Sequence, residues 1–224
     1  MTCQTAKRLS NISMQHVIPD VFSPEDVGES RIWLKEFTFV RGRHYLVEAA
    51  SGSGKSSMCS FIYRNRSDYR GSIGFDGRDA KSLSADEISD LRCHNIALLP
   101  QELRLFGQLT AIDNVRIKNK LTGYCSEKQI IEMFGRLGIA DKINRPASLL
   151  SIGQMQRVAL IRALCQPFDF IFLDEPVSHL DENNNRIVAS LIYETAEAQN
   201  ASIIATSVGN QLLLPTDNIN HIRL

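Results

Sequence analysis

The stretch Ala49-Ala50-Ser51-Gly52-Ser53-Gly54-Lys55-Ser56-Ser57 packs small residues, one lysine and several hydroxyls into nine positions. That composition suits a loop that wraps a polyphosphate. Small side chains let consecutive backbone N–H groups turn inward around the phosphates, and the N-terminus of a following helix adds the positive end of its dipole. The run fits the phosphate-binding pattern G-x-x-x-x-G-K-[ST], with Ala49 in place of the first glycine. Lys55 is expected to reach the β- and γ-phosphates, Ser56 to place its hydroxyl on Mg²⁺, and Ala50 to Gly54 with Ser57 to form the cradle. A flexible Gly/Ser turn has a similar composition. The lysine, the hydroxyl and the apolar run Tyr45 to Ala50 just before the loop favour a strand-loop-helix instead. Ala49 is a defect only if its position demands a positive φ.

A second cluster supplies acids. Phe168-Asp169-Phe170-Ile171-Phe172-Leu173-Asp174-Glu175-Pro176 is an apolar run ending in two carboxylates. It reads as a buried central strand that delivers both acids at its carboxyl edge, where open α/β sheets bind ligands. Asp174 is expected to hold Mg²⁺, and Glu175 to orient and deprotonate the attacking water, a general-base role that contributes ~10²–10⁴-fold. Alone, an acidic pair after a strand is usually a turn; its weight comes from Lys55.

A third motif, Leu150-Ser151-Ile152-Gly153-Gln154-Met155-Gln156-Arg157, resembles the LSGGQ-x-QR signature of ATP-binding cassette (ABC) ATPases. Ser151 and Gln154 also form a capping box, so the segment reads equally as a helix start. The two readings are compatible, because a capped helix N-terminus is an anion site. In the family this N-terminus faces the γ-phosphate bound by the opposite subunit, so the resemblance implies that Ser151, Gly153 and Gln154 contact a partner's nucleotide. Ile152 departs from the usual glycine. Leu99-Pro100-Gln101 resembles the family's Q-loop, whose glutamine senses Mg²⁺ and the attacking water. Ser178-His179-Leu180-Asp181 resembles the D-loop, although Asp181 also reads as a helix cap. Phe22 lies where the family often carries an aromatic that stacks on adenine, and a core or edge phenylalanine is an equal reading.

The resemblance covers roughly Met14 to Leu224. It implies an α/β P-loop NTPase of ABC type: a mostly parallel core sheet, an antiparallel β subdomain, and an inserted helical subdomain over about 102–160. It further implies ATP and Mg²⁺ as ligands, and a head-to-tail dimer in which each copy completes the other's site. The span between Lys55 and Asp174 leaves no room for a long coiled-coil insertion, one cassette is present, and the chain ends just after His221 to Leu224. Leu109 to Val115 is similar to the matching stretch of lipoprotein-release, macrolide-export and cell-division cassettes. The expected function is therefore an ATPase subunit that powers a separate integral permease from the cytoplasmic face of the inner membrane. A slow ATP-switch module and a soluble cassette without a permease are the alternatives. One departure concerns rate. The family's strand after the D-loop helix ends in Thr-His or Ser-His, whereas Ser202 to Ala205 here is followed by Thr206-Ser207, which puts Ser207 at the switch histidine. Losing a preorganised contact to developing charge costs ~10²–10³-fold in turnover.

These groups need elements to carry them. Alternation over Ile32 to Val40, the turn Arg41-Gly42-Arg43 and the run Tyr45 to Ala50 predict a hairpin feeding a buried strand. Helices are expected over Ala85 to Arg92 behind Ser84 and over Glu127 to Leu137 behind Ser126. Residues 1–13 are polar and aperiodic and predict a disordered tail, leaving 14–224 as one domain. With 25 Lys+Arg against 25 Asp+Glu the chain has no net charge, which argues against nucleic acid as a partner. There is no secretory h-region and no apolar run long enough to span a bilayer. The five cysteines are scattered and odd in number, which fits a reduced compartment rather than a disulfide framework.

Overall fold

The computed structural model describes residues 7–178 and 180–224. Two sheets carry the fold. The first is antiparallel and contains β1 (Asn11–Pro19), β2 (Glu36–Val40), β4 (Tyr69–Phe75) and β5 (Arg78–Asp79), in the order β2-β1-β4-β5. The second contains β3 (His44–Glu48), β6 (Ile96–Leu99), β7 (Phe170–Asp174), β8 (Ser202–Ser207) and β9 (Ile219–Arg223), in the order β6-β7-β8-β3-β9. All four of its pairings are parallel. Helices α1 (Lys55–Ile62), α2 (Ala85–His94), α3 (Ala111–Asn119), α4 (Glu127–Arg136), α5 (Ile152–Leu164) and α6 (Glu182–Glu197) surround it.

A strand covered on both faces must be apolar throughout, and β7 is buried at every position. Successive side chains alternate between faces, which splits the interior in two. Ile171, Leu173, Ile203 and Ala205 join a core with residues of α3 to α6. Phe170, Phe172, Ile204 and Val47 join a second core with Met58 and Phe61 of α1 and with the antiparallel sheet. Serine capping boxes start α2 at Ser84, α4 at Ser126 and α5 at Ser151. Asp181 caps α6 by accepting from the Asn184 amide at 2.8 Å.

Two expectations are corrected. Ile32 to Val40 and the following run do not form a hairpin, because β2 pairs antiparallel with β1 while β3 lies between β8 and β9 in the other sheet. The reason is burial: Phe39 turns inward to meet Phe172 at 5.8 Å and Tyr45 at 5.1 Å, so it bridges the two sheets. Of the expected tail, residues 1–6 lie outside the described residues and 7–13 are not a tail. Strand β1 begins at Asn11, and Leu9 is only 5% exposed. Their polar composition has distant partners: the fully buried Asp169 carboxylate accepts from Arg8 Nη1 (2.8 Å), the Leu9 amide (2.7 Å), Asn95 Nδ2 (2.7 Å) and Arg41 Nη1 (3.3 Å).

This clasp joins the amino-terminal segment, the turn after β2 and the amino end of β7. Replacing Asp169 with Ala strands two guanidiniums and a buried amide, and is expected to lower unfolding free energy by about 3 kcal/mol. Urea denaturation with unchanged m-value checks it, and a loss below about 1 kcal/mol refutes the clasp's structural role.

Candidate nucleotide site

The loop joining β3 to α1 takes its left-handed turns at Gly52 (φ 82°) and Gly54 (φ 92°), while Ala49 is not left-handed. The alanine therefore replaces glycine without backbone strain. Gly54 is also sterically committed, since a Cβ there would lie 3.1 Å from Trp33 Cζ2 and 3.2 Å from Phe22 Cε2. Trp33 Nε1 donates to the Ser53 carbonyl at 2.9 Å. Two aromatic rings thus back the loop.

Lys55 opens α1, is 4% exposed, and donates from Nζ to the carbonyls of Ala50 (2.8 Å) and Ala49 (3.1 Å). Burial lowers its pKa, and the nearby carboxylates of Glu175 and Asp174 oppose the shift. Ser56 Oγ lies 3.4 Å from Gln101 Oε1, just past β6. Asp174 ends β7 and is 4% exposed, with Oδ1 accepting from Thr206 Oγ1 at 2.8 Å. The Thr206 hydroxyl in turn accepts from the Glu175 amide at 3.2 Å. Gln101, Asp174 and Glu175 line one cavity of about 130 Å³. Hydroxyl, amide and carboxylate oxygens on one side and a buried lysine on the other suit a Mg²⁺-polyphosphate, because Mg²⁺ prefers hard oxygen donors.

The other expected site residues make no side-chain hydrogen bond to this cluster among the described residues, although Ile152, between Ser151 and Gly153, lines the cavity of about 130 Å³. Ser151, Gly153 and Gln154 form the N-terminus of α5, with Ser151 exposed, and no hydrogen bond among the described residues links them to the phosphate loop. Asp181 is exposed at the start of α6. Ser207 is buried at the end of β8, and its carbonyl accepts from the Ala49 amide at 3.4 Å. It lines a separate cavity of about 760 Å³ with Ala49, Ala50, His221 and Arg223. His179 of the expected D-loop lies outside the described residues. Sequence reasoning gave no role to Thr206 or Gln156; the signal for Thr206 was its place in the Thr206-Ser207 pair that ends β8.

A glycine-shaped loop between a parallel strand and a helix, with a strand-end carboxylate beside it, defines a P-loop nucleotide-binding protein. The chain belongs to the ABC transporter ATP-binding family, whose profile, described as ABC transporter, matches residues 35–178, more than half of its length. It is 33% identical over 175 residues to the lipoprotein-releasing system ATP-binding protein LolD of Buchnera aphidicola subsp. Schizaphis graminum, covering 77% of this chain and 73% of that one. It is 34% identical over 172 residues to the macrolide export ATP-binding/permease protein MacB of Bartonella henselae, covering 75% of this chain but 26% of the relative. The chain therefore spans about a quarter of the length of the MacB relatives it matches. A dimeric structure of MJ0796, a bacterial ABC transporter cassette, superposes with TM-score 0.75 at 22% identity, covering 95% of this chain and 94% of that one.

Thr206 holds both carboxylate-bearing residues through one hydroxyl. Thr206→Val leaves a buried carboxylate oxygen and an amide short of a partner, and is expected to lower stability by about 1–3 kcal/mol. Thr206→Ser keeps the hydroxyl and is expected to recover most of that loss, as compared by chemical denaturation.

Proposed function

We propose that the chain is the ATP-binding and hydrolysing subunit that drives a separate membrane permease, acting as a head-to-tail pair around two nucleotides. The observation that carries this reading is a division of labour. Lys55, Ser56, Gln101, Asp174 and Glu175 converge, while Ser151, Gly153 and Gln154 form a helix N-terminus, exposed at Ser151, that makes no hydrogen bond to the phosphate loop among the described residues. A second copy is what this exposed terminus can serve, and it places backbone N–H groups and a dipole end where phosphate charge develops.

Lys55 clamps the β- and γ-phosphates, the loop from Ala50 to Ser57 wraps them, and Glu175 takes a proton from the attacking water. Ser56, Gln101 and Asp174 are the oxygen donors for Mg²⁺, which when bound neutralises charge on the phosphates. Phe22 stands against the loop where an adenine ring can stack, and Asp181 positions the D-loop from the start of α6. The LolD relative is named as an ATP-binding protein of a lipoprotein-releasing system, which supports a permease partner and a place on the cytoplasmic face of the inner membrane. No helix among the described residues is long and apolar enough to cross a membrane. The docking surface comprises the surface near Gln101 and the helical segment over 102–149. There a groove of about 340 Å³ combines Phe106, Ile117 and Leu121 with Arg104, Lys118 and Arg162, and no Asp or Glu lines it.

Glu175→Gln is expected to retain ATP binding, lose hydrolysis and accumulate as a dimer under saturating MgATP, whereas Lys55→Ala is expected to bind no ATP. A Glu175→Gln protein that stays monomeric by light scattering at high concentration with MgATP refutes the head-to-tail pair.

A slow-switch reading has one observation in its favour, the serine at position 207. Serine can donate one neutral hydrogen bond but cannot reach or carry a proton as imidazole does. Ser207→His is expected to raise basal turnover of the isolated subunit at least several-fold, out of the ~10²–10³-fold that such a contact supplies. A phosphate-release assay checks it, and a wild-type rate already at tens per second, unchanged by the substitution, removes the idea.

A further inference from the structure

Glu175 is one of seven described non-glycine residues with positive φ. Its φ of 51° is left-handed, a conformation that non-glycine residues hold only where their surroundings over-determine it. Those surroundings are few. The Glu175 amide donates to Thr206 Oγ1 at 3.2 Å. The Glu175 carbonyl accepts from Ser178 Oγ at 3.3 Å, from the Ser178 amide at 3.4 Å and from Gln156 Nε2 at 3.3 Å. Gln156 Nε2 also donates to the Pro176 carbonyl at 2.7 Å. Thr206 belongs to the sheet and Ser178 to the same loop. Among the described residues, Gln156 makes the only hydrogen bonds that tie this segment to α5, the helix whose N-terminus carries Ser151 and Gly153.

The glutamine is poorly explained as packing. It is 7% exposed, and its Oε1 is buried with no partner among the described residues. Leaving a buried acceptor unpaired is unfavourable, and an apolar side chain of the same length would avoid that penalty. What an apolar side chain could not do is donate to two successive carbonyls. The amide also lines the cavity shared by Gln101, Asp174 and Glu175.

We propose that Gln156 is a positioning residue that couples the N-terminus of α5 to the backbone geometry of Glu175. A ligand drawn onto Ser151 and Gly153 shifts α5 as a rigid rod. Gln156 is one turn beyond the first residue of the helix and its side chain makes no other hydrogen bond among the described residues, so it transmits the shift to the carbonyls of Glu175 and Pro176. The left-handed residue then stays held or relaxes. Because the ligand at Ser151 belongs to one site and Glu175 to the other, hydrolysis at each site depends on occupancy of its neighbour. The coupling rests on the ATPase pair proposed above.

The test compares wild type with Gln156→Met, which keeps side-chain length and removes both donors. Turnover is expected to fall ~10- to 100-fold, the penalty of a misplaced catalytic group, with KM for ATP within about twofold. The Hill coefficient for ATP is expected to fall from above 1 to about 1. Amide exchange in the protein without nucleotide reads the same coupling independently of activity. At Glu175 and Ser178 it is expected to accelerate about tenfold, with Phe170 to Leu173 unchanged. Should Gln156→Met not fold, Gln156→Glu keeps the volume, replaces both donors and is read in the same way. Nucleotide-dependent exchange in wild type needs no variant: Glu175, Ser178 and the first turn of α5 are expected to change together. A folded variant with wild-type turnover, Hill coefficient and exchange overturns the proposal, as does independent change in wild type or a wild-type Hill coefficient of 1. Wild type that binds ATP without hydrolysing it overturns the ATPase reading instead, and the exchange measurements still judge the role of Gln156.

Discussion

A strand that is buried on both faces can carry charge only where it leaves the sheet. Strand β7 is the case on which this molecule turns: four apolar residues in the interior, then Asp174 and Glu175 at the carboxyl edge. Two carboxylates in that position repel each other and resist desolvation unless positive charge and donors meet them. The loop between β3 and α1 brings Lys55, and β8 brings the Thr206 hydroxyl. The chemistry therefore sits where the electrostatics of the sheet allow it.

The same strand explains why the molecule has two interiors. Odd and even positions of β7 and β8 face different cores. One belongs to the phosphate loop and its supporting aromatics, the other to the helices that carry the exposed N-terminus of α5. Beyond the shared strands themselves, a displacement in the helical half reaches the phosphate half through groups that cross the sheet's edge. Few do, and side-chain amides and hydroxyls at the end of β7 are prominent among them.

Much of this could be read in the chain beforehand because its signals are local. The loop from Ala49 to Ser57, the strand ending in Asp174 and Glu175, and the boxes at Ser84, Ser126 and Ser151 each need only a few neighbouring residues to be recognised. What escaped were relations between distant residues. The turn Arg41-Gly42-Arg43 looks like a hairpin turn, yet whether two flanking strands pair depends on Phe39 finding Phe172 far along the chain. Residues 7–13 look like a tail because the carboxylate that holds them is at Asp169. The left-handed Glu175 and the double donation by Gln156 leave no mark on sequence patterns.

The clasp around Asp169 also bears on how the chain is made. Arg8 and Leu9 leave the ribosome well before their partner, which lies 161 and 160 positions later. At about 5–20 residues per second the amino-terminal segment waits roughly 8–32 s before Asp169 exists. During that interval Leu9 has no buried place to go, and contacts of such long sequence separation form late. This segment is thus made early relative to its partner and secured late, and the nascent chain depends on whatever shields Leu9 in the meantime.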